Sequence, residues 1–91
     1  MLFKSIEELD KFVNEYYSYK IIISYERRHD AQDWLTEKYG RQAIRLHNTK
    51  YRYSHNKRYK WALWTLDAPN YNFWLNDKNT GIQLKLLFGG I

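Results

Sequence analysis

Two histidines and several cations share one stretch of this chain: Arg45, His47, Arg52, His55 and Lys57. Residues of these types can carry out phosphodiester chemistry. One imidazole takes the proton of an attacking hydroxyl and the other protonates the leaving group, while a cation stabilises charge building on phosphorus. On that reading the chain is a small metal-independent ribonuclease, toxin-like in size, with His47 and His55 as base and acid and Arg52 as the charge partner. The plainer reading is that two His and several Arg in a basic segment need no catalytic reason. His29, His47 and His55 show no HxH, HxxxH or HExxH spacing. No metal site or other cofactor is therefore expected.

The histidines belong to a larger pattern. No acidic residue falls between Glu37 and Asp67, and eight of the 15 Lys and Arg side chains lie in 38–66. That segment carries +8, while the remainder has seven basic against ten acidic residues, a balance of −3. The net charge of +5 is thus local. An ordinary solvated face mixes signs; a surface that replaces counterions along phosphates does not. Between the cations stand aromatic rings of the kind on which unstacked bases pack. The candidate binding set is Arg45, Lys50, Tyr51, Arg52, Tyr53, Lys57, Arg58, Tyr59, Lys60 and Trp61.

These residues must be held by the elements around them. Ser5 followed by Glu8 is a capping-box pattern, and Leu9, Phe12, Val13, Tyr16 and Tyr17 recur at helical spacing. A helix from Ser5 to about Tyr17–Tyr19 follows. Tyr19–Tyr25 is β-branched and nearly continuous in apolar character, which predicts a strand buried on both faces. Asp30 reads as the N-cap of a second helix that Gly40 ends. The remainder reads as a meander: strands at Gln42–His47, Lys50–Tyr53, Arg58–Leu66, Tyr71–Leu75 and Ile82–Phe88. Turns are expected at Ser54–Lys57, Asp67–Asn70 and Asn76–Gly81, with a frayed tail at Gly89–Ile91. The expected fold class is α+β: two N-terminal helices flanking one strand, then a four- to five-stranded antiparallel meander, with the helices on one sheet face.

Ninety-one residues make one domain, 1–91. The chain begins with Met and has no linker or low-complexity tract, which reads as a complete small gene product. It has no Cys, so disulfides, thiolate metal sites and cysteine nucleophiles are excluded. The N-terminus has no signal-peptide pattern and no apolar run approaches membrane-spanning length. A soluble, cytoplasmic protein is expected. The first helix starts acidic, against an amphipathic membrane anchor. No glycine pattern cradles a phosphate, which argues against nucleotide-dependent chemistry.

The expectation is a small non-catalytic binding protein whose basic-aromatic sheet surface meets nucleic acid, a nucleoprotein complex or an acidic protein surface. Phages and mobile elements encode many small products without an active-site signature, and these often act as stoichiometric inhibitors of host machines, CRISPR-type defence nucleases among them. An anti-CRISPR-like inhibitor in the bacterial host cytoplasm is the concrete form of this expectation. The alternatives are the His47/His55 ribonuclease and a structural protein that self-associates, as a homodimer or larger, through an exposed strand edge.

Overall fold

In the computed structural model, which describes residues 1–47, 52–66 and 70–89, the N-terminal helix begins where its cap places it. Ser5 is extended and its Oγ accepts the Glu8 amide at 3.2 Å, opening α1 (Ile6–Tyr16). The Glu8 carboxylate reaches past Ser5 to accept the Lys4 amide at 3.0 Å. One orphan amide of the first turn, that of Glu8, and the amide that precedes the cap are thus satisfied at a helix end already favoured by acidic Glu7 and Glu8.

The fold class is α+β. Among the described residues there are three α-helices and two three-stranded antiparallel sheets. One sheet has the order β1 (Leu2–Phe3), β4 (Arg52–His55), β3 (Ile44–His47). The other has the order β2 (Tyr19–Ile23), β6 (Tyr71–Leu75), β5 (Trp61–Leu63). They meet where the Ala43 amide donates to the Trp61 carbonyl at 2.7 Å.

α1 covers the inner face of the first sheet. Leu9 and Val13 are buried in one cluster with Phe3, Ile44 and Tyr17, and with Ala62, Trp64 and Trp74 from the second sheet. The other face of the second sheet carries Ile23, Phe73, Leu75 and Trp61. It is covered by Ala31 and Leu35 of α2 (Arg28–Tyr39) and by Leu84 of α3 (Lys78–Phe88). The second sheet is therefore enclosed on both sides, whereas the first, among the described residues, has one helix-covered face and one open face. Each buried Trp finds an acceptor for its indole N–H, as burial of that group requires. Trp61 donates to Gly40 O at 2.8 Å, Trp64 to Asp10 Oδ1 at 3.0 Å and Trp74 to Trp64 O at 2.8 Å.

Several expectations are corrected. The helices lie on different sheets and faces, and the single meander is replaced by two small sheets. Ile82–Phe88 is not a strand but most of α3. Its alternating pattern is misleading, because the inward residues are Thr80, Gly81, Leu84 and Phe88, which follow helical spacing. Asp77, expected in a hairpin loop, is the N-cap, with Oδ1 accepting from the Asn79 amide at 3.3 Å and Oδ2 from Thr80 Oγ1 at 2.5 Å. The Thr80 hydroxyl and backbone amides hold the Asp77 carboxyl below its usual pKa. Gly89, expected to fray, is the left-handed C-cap (φ 65°).

α2 starts at Arg28 after a 3₁₀ turn (Tyr25–Arg27), so Asp30 sits in its first turn and not at its cap. Ser54 and His55 extend β4 where a turn was expected. Arg58–Lys60 precede β5 as a turn rather than forming its first half. The turn expected at Asp67–Asn70 lies mostly outside the described residues, as do the end of the tail and the Lys50–Tyr51 end of the expected strand.

Gly81 sits inside α3 where the helix crosses β2, and a Cβ there would lie 3.6 Å from Ile21 Cδ1, an ordinary contact. Its φ is not in the left-handed region. Glycine in a helix interior costs roughly 0.5–1 kcal/mol relative to alanine. Gly81→Ala should therefore stabilise the protein by about that amount and raise Tm by several degrees in thermal unfolding.

Candidate functional site

The open face of the first sheet is set by pairing register. Ile44 lies opposite His55, Arg45 opposite Ser54, Leu46 opposite Tyr53 and His47 opposite Arg52. Directly paired residues project to the same side, and neighbours along a strand to opposite sides. Ile44, Tyr53 and His55 therefore share the inner face with α1, and Arg45, His47, Arg52 and Ser54 share the outer one. Leu2 joins the outer set through its pairing with Ser54.

Register alone separates the proposed catalytic pair. His47 and His55 are on opposite faces, so they do not share a substrate, and the acid–base arrangement read from the sequence is absent. His55 is only 2% exposed. It is ringed by Phe12, Tyr16 and Tyr17 at centroid distances of 4.7, 5.1 and 5.6 Å. Its Nε2 is hydrogen-bonded to Tyr17 Oη at 2.6 Å, and its Nδ1 has no partner among the described residues. Burial, aided by the N-terminal ammonium and Lys57, lowers its pKa to about 4. Burial, with Tyr16 adding to it, raises that of Tyr17. These are the properties of a core group.

The outer face forms a cleft of about 220 Å³ lined by Arg41, Ala43, Arg45, His47, Ser54, Asn56 and Tyr59. Among the described residues no carboxylate lines it. Arg41 arrives there because Gly40 (φ 84°) ends α2 and turns 41–43 alongside β5. That path is fixed by the Ala43–Trp61 bond and by Gln42 Oε1, which accepts the Leu63 amide at 2.9 Å. The Arg41 guanidinium carbon lies 5.2 Å from the centroid of the Tyr59 ring, which braces it by a cation–π contact. His47 Nε2 and Ser54 Oγ are 2.7 Å apart. Asn56 Oδ1 accepts the Arg58 amide at 2.9 Å, so its amide nitrogen remains a donor. The cleft thus combines two guanidiniums, a hydroxyl–imidazole pair and a carboxamide, a donor set suited to anionic oxygen.

The expected binding set is divided. Arg45, Arg52 and Tyr59 belong to the outer face or its cleft. Trp61 is corrected: it is buried with Phe73 in the second core at 2% exposure, so no base stacks on it. Tyr53 points inward and packs edge-on against Trp64 at 5.4 Å. Lys57 lies 5.6 Å from the Tyr16 ring, on the α1 side. Lys60 lines a different cavity, of about 450 Å³, with Tyr39, Asn76 and Asp77. Arg58 is exposed in the turn before β5. Lys50 and Tyr51 lie outside the described residues. Arg41, Ser54 and Asn56 were missed. The available signal was Gly40, a helix stop that forces the next residues to fold back.

Among the described residues no three His, Asp or Glu side chains come together as metal ligands, and no helix is long and apolar enough to cross a membrane. No family model, curated protein or solved structure matches the chain.

Protonation of His55 gives a measurable signature. Its unfolded form takes up a proton near pH 6.5 and its folded form near pH 4. The unfolded state therefore binds more protons between those values, and stability falls as pH drops through that window. The full loss is about 3 kcal/mol at roughly 1.4 kcal/mol per unit. Urea unfolding from pH 7.5 to 4 should show this slope, and His55→Gln should flatten it.

Proposed function

We propose that this is a non-catalytic nucleic-acid-binding protein whose contact surface is the outer face of β3 and β4. This reading rests on the cleft in which Arg41 and Arg45 lie beside Ser54, His47 and Asn56, with no carboxylate among the described residues that line it. Arg52 extends the same face beyond His47. Successive outward residues on a strand are about 6.6 Å apart, twice the rise per residue, a spacing comparable with that of neighbouring phosphates along one strand. Guanidiniums recognise phosphate through paired, charge-assisted hydrogen bonds.

Because Trp61 and Tyr53 serve the core, stacking is a smaller part of recognition than the sequence suggested. Binding is read from the backbone, with a steep salt dependence and weak base preference. The nucleic acid is free or held within a nucleoprotein complex in the cytoplasm. As an inhibitor of a defence nuclease, such a protein works by occluding or bridging bound nucleic acid. A basic face is the wrong sign for a nucleic-acid mimic.

Anisotropy of a labelled single-stranded oligonucleotide across a salt series tests this reading. The log–log slope should correspond to roughly 0.7 per phosphate contacted. Arg45→Glu combined with Arg52→Glu should abolish binding near 0.15 M salt while changing stability by less than about 1 kcal/mol. Lys78→Glu with Lys85→Glu makes the same charge change on exposed positions of α3 and should leave most of the affinity intact. Equal losses in both double variants would reduce the effect to net charge and remove the site.

A further inference from the structure

The cleft is more specific than a generic basic face requires. We infer that it is a receptor for a phosphomonoester at the end of a nucleic-acid strand, an inference that rests on the nucleic-acid reading of the same surface. A phosphodiester inside a strand offers two unesterified oxygens and one negative charge. A terminal phosphomonoester offers three such oxygens and about −1.5 to −2 charge near neutral pH.

The donor set of the cleft exceeds what a diester satisfies. Arg41 and Arg45 each present a fork of N–H groups, and Asn56 adds its amide nitrogen because its oxygen is taken by the Arg58 amide. Ser54 completes the set. Its hydroxyl is 2.7 Å from His47 Nε2. When His47 donates to Ser54 Oγ, the hydroxyl proton is released toward the cleft, and a strongly accepting ligand selects that arrangement. Arg41 is already ordered by the Tyr59 ring at 5.2 Å, so less freedom is lost when it meets its ligand. A lysine at 41 would keep the charge but lose both the fork and the planar stacking.

The test compares oligonucleotides of one sequence with a 5′-phosphate, a 3′-phosphate or hydroxyl ends, titrated at about 0.15 M salt. A hydroxyl-ended strand one nucleotide longer controls for the added charge. One phosphorylated strand should bind roughly ten-fold tighter than that control, the scale of one or two charge-assisted hydrogen bonds. In both Arg41→Lys and Ser54→Ala, each checked for folding by circular dichroism, the ratio should collapse towards one. Binding of all strands with equal affinity would overturn the end-phosphate assignment and leave the nucleic-acid reading standing. No binding by any strand would overturn both. A nucleoside monophosphate competing at the same concentration as the phosphorylated strand would overturn the strand-end claim, since the cleft would then take small phosphates.

Discussion

The pairing register of β4 decides which side chains reach the core and which reach the cleft. It lies between β1 and β3, with Phe3 opposite Tyr53 on one side and Ile44 opposite His55 on the other. Four consecutive residues, Arg52-Tyr53-Ser54-His55, supply both the inner core and the outer site. A slip of one residue would drive Arg52 and Ser54 under α1 and expose the His55 ring. The inner side fixes the register. His55 is closed in by aromatic rings and bonded to Tyr17, Tyr53 packs on Trp64, and α1 seals the layer. The chemistry of the outer face is thus held in place by hydrophobic contacts on the inner one.

His55 couples the packing of the inner layer to pH. Its Nδ1 is buried without a partner among the described residues, an arrangement that costs free energy and is held by the aromatic rings packed around it. Holding the imidazole neutral keeps the inner layer free of charge, at the expense of acid stability. His47, eight residues earlier, is half-buried on the opposite face beside a hydroxyl. Similar residues in one basic segment therefore have unrelated roles, and the sheet assigns them.

Local signals in the sequence were readable where one residue decides one geometry. The Ser5 cap, the Gly40 stop and the single-faced apolar set Tyr71, Phe73 and Leu75 all appear as their chemistry dictates. α3 was not readable in the same way. Ile82 to Leu86 alternates apolar and polar residues at period two, while Ile82 and Leu86 are in fact exposed on a helix. Tertiary packing of Gly81 and Leu84 against the second sheet overrides that alternation. The charge excess in 38–66 was legible, but its division was not. Deciding which cations share a face needs the register and the fold-back after Gly40, neither of which leaves a periodic trace. The aromatic residues misled for the same reason: Trp61 alternates with cations in sequence, yet its ring belongs to the core beneath α2 and α3.

Amide chemical shifts followed during titration with a single-stranded oligonucleotide would locate the proposed contact on the outer face of β3 and β4. Nucleic acid seated there should shift amides in 41–47 and 52–59, saturating together, with α2 and α3 unmoved. Shifts centred on the exposed Ile82 and Leu86 of α3, or on no contiguous surface, would contradict it.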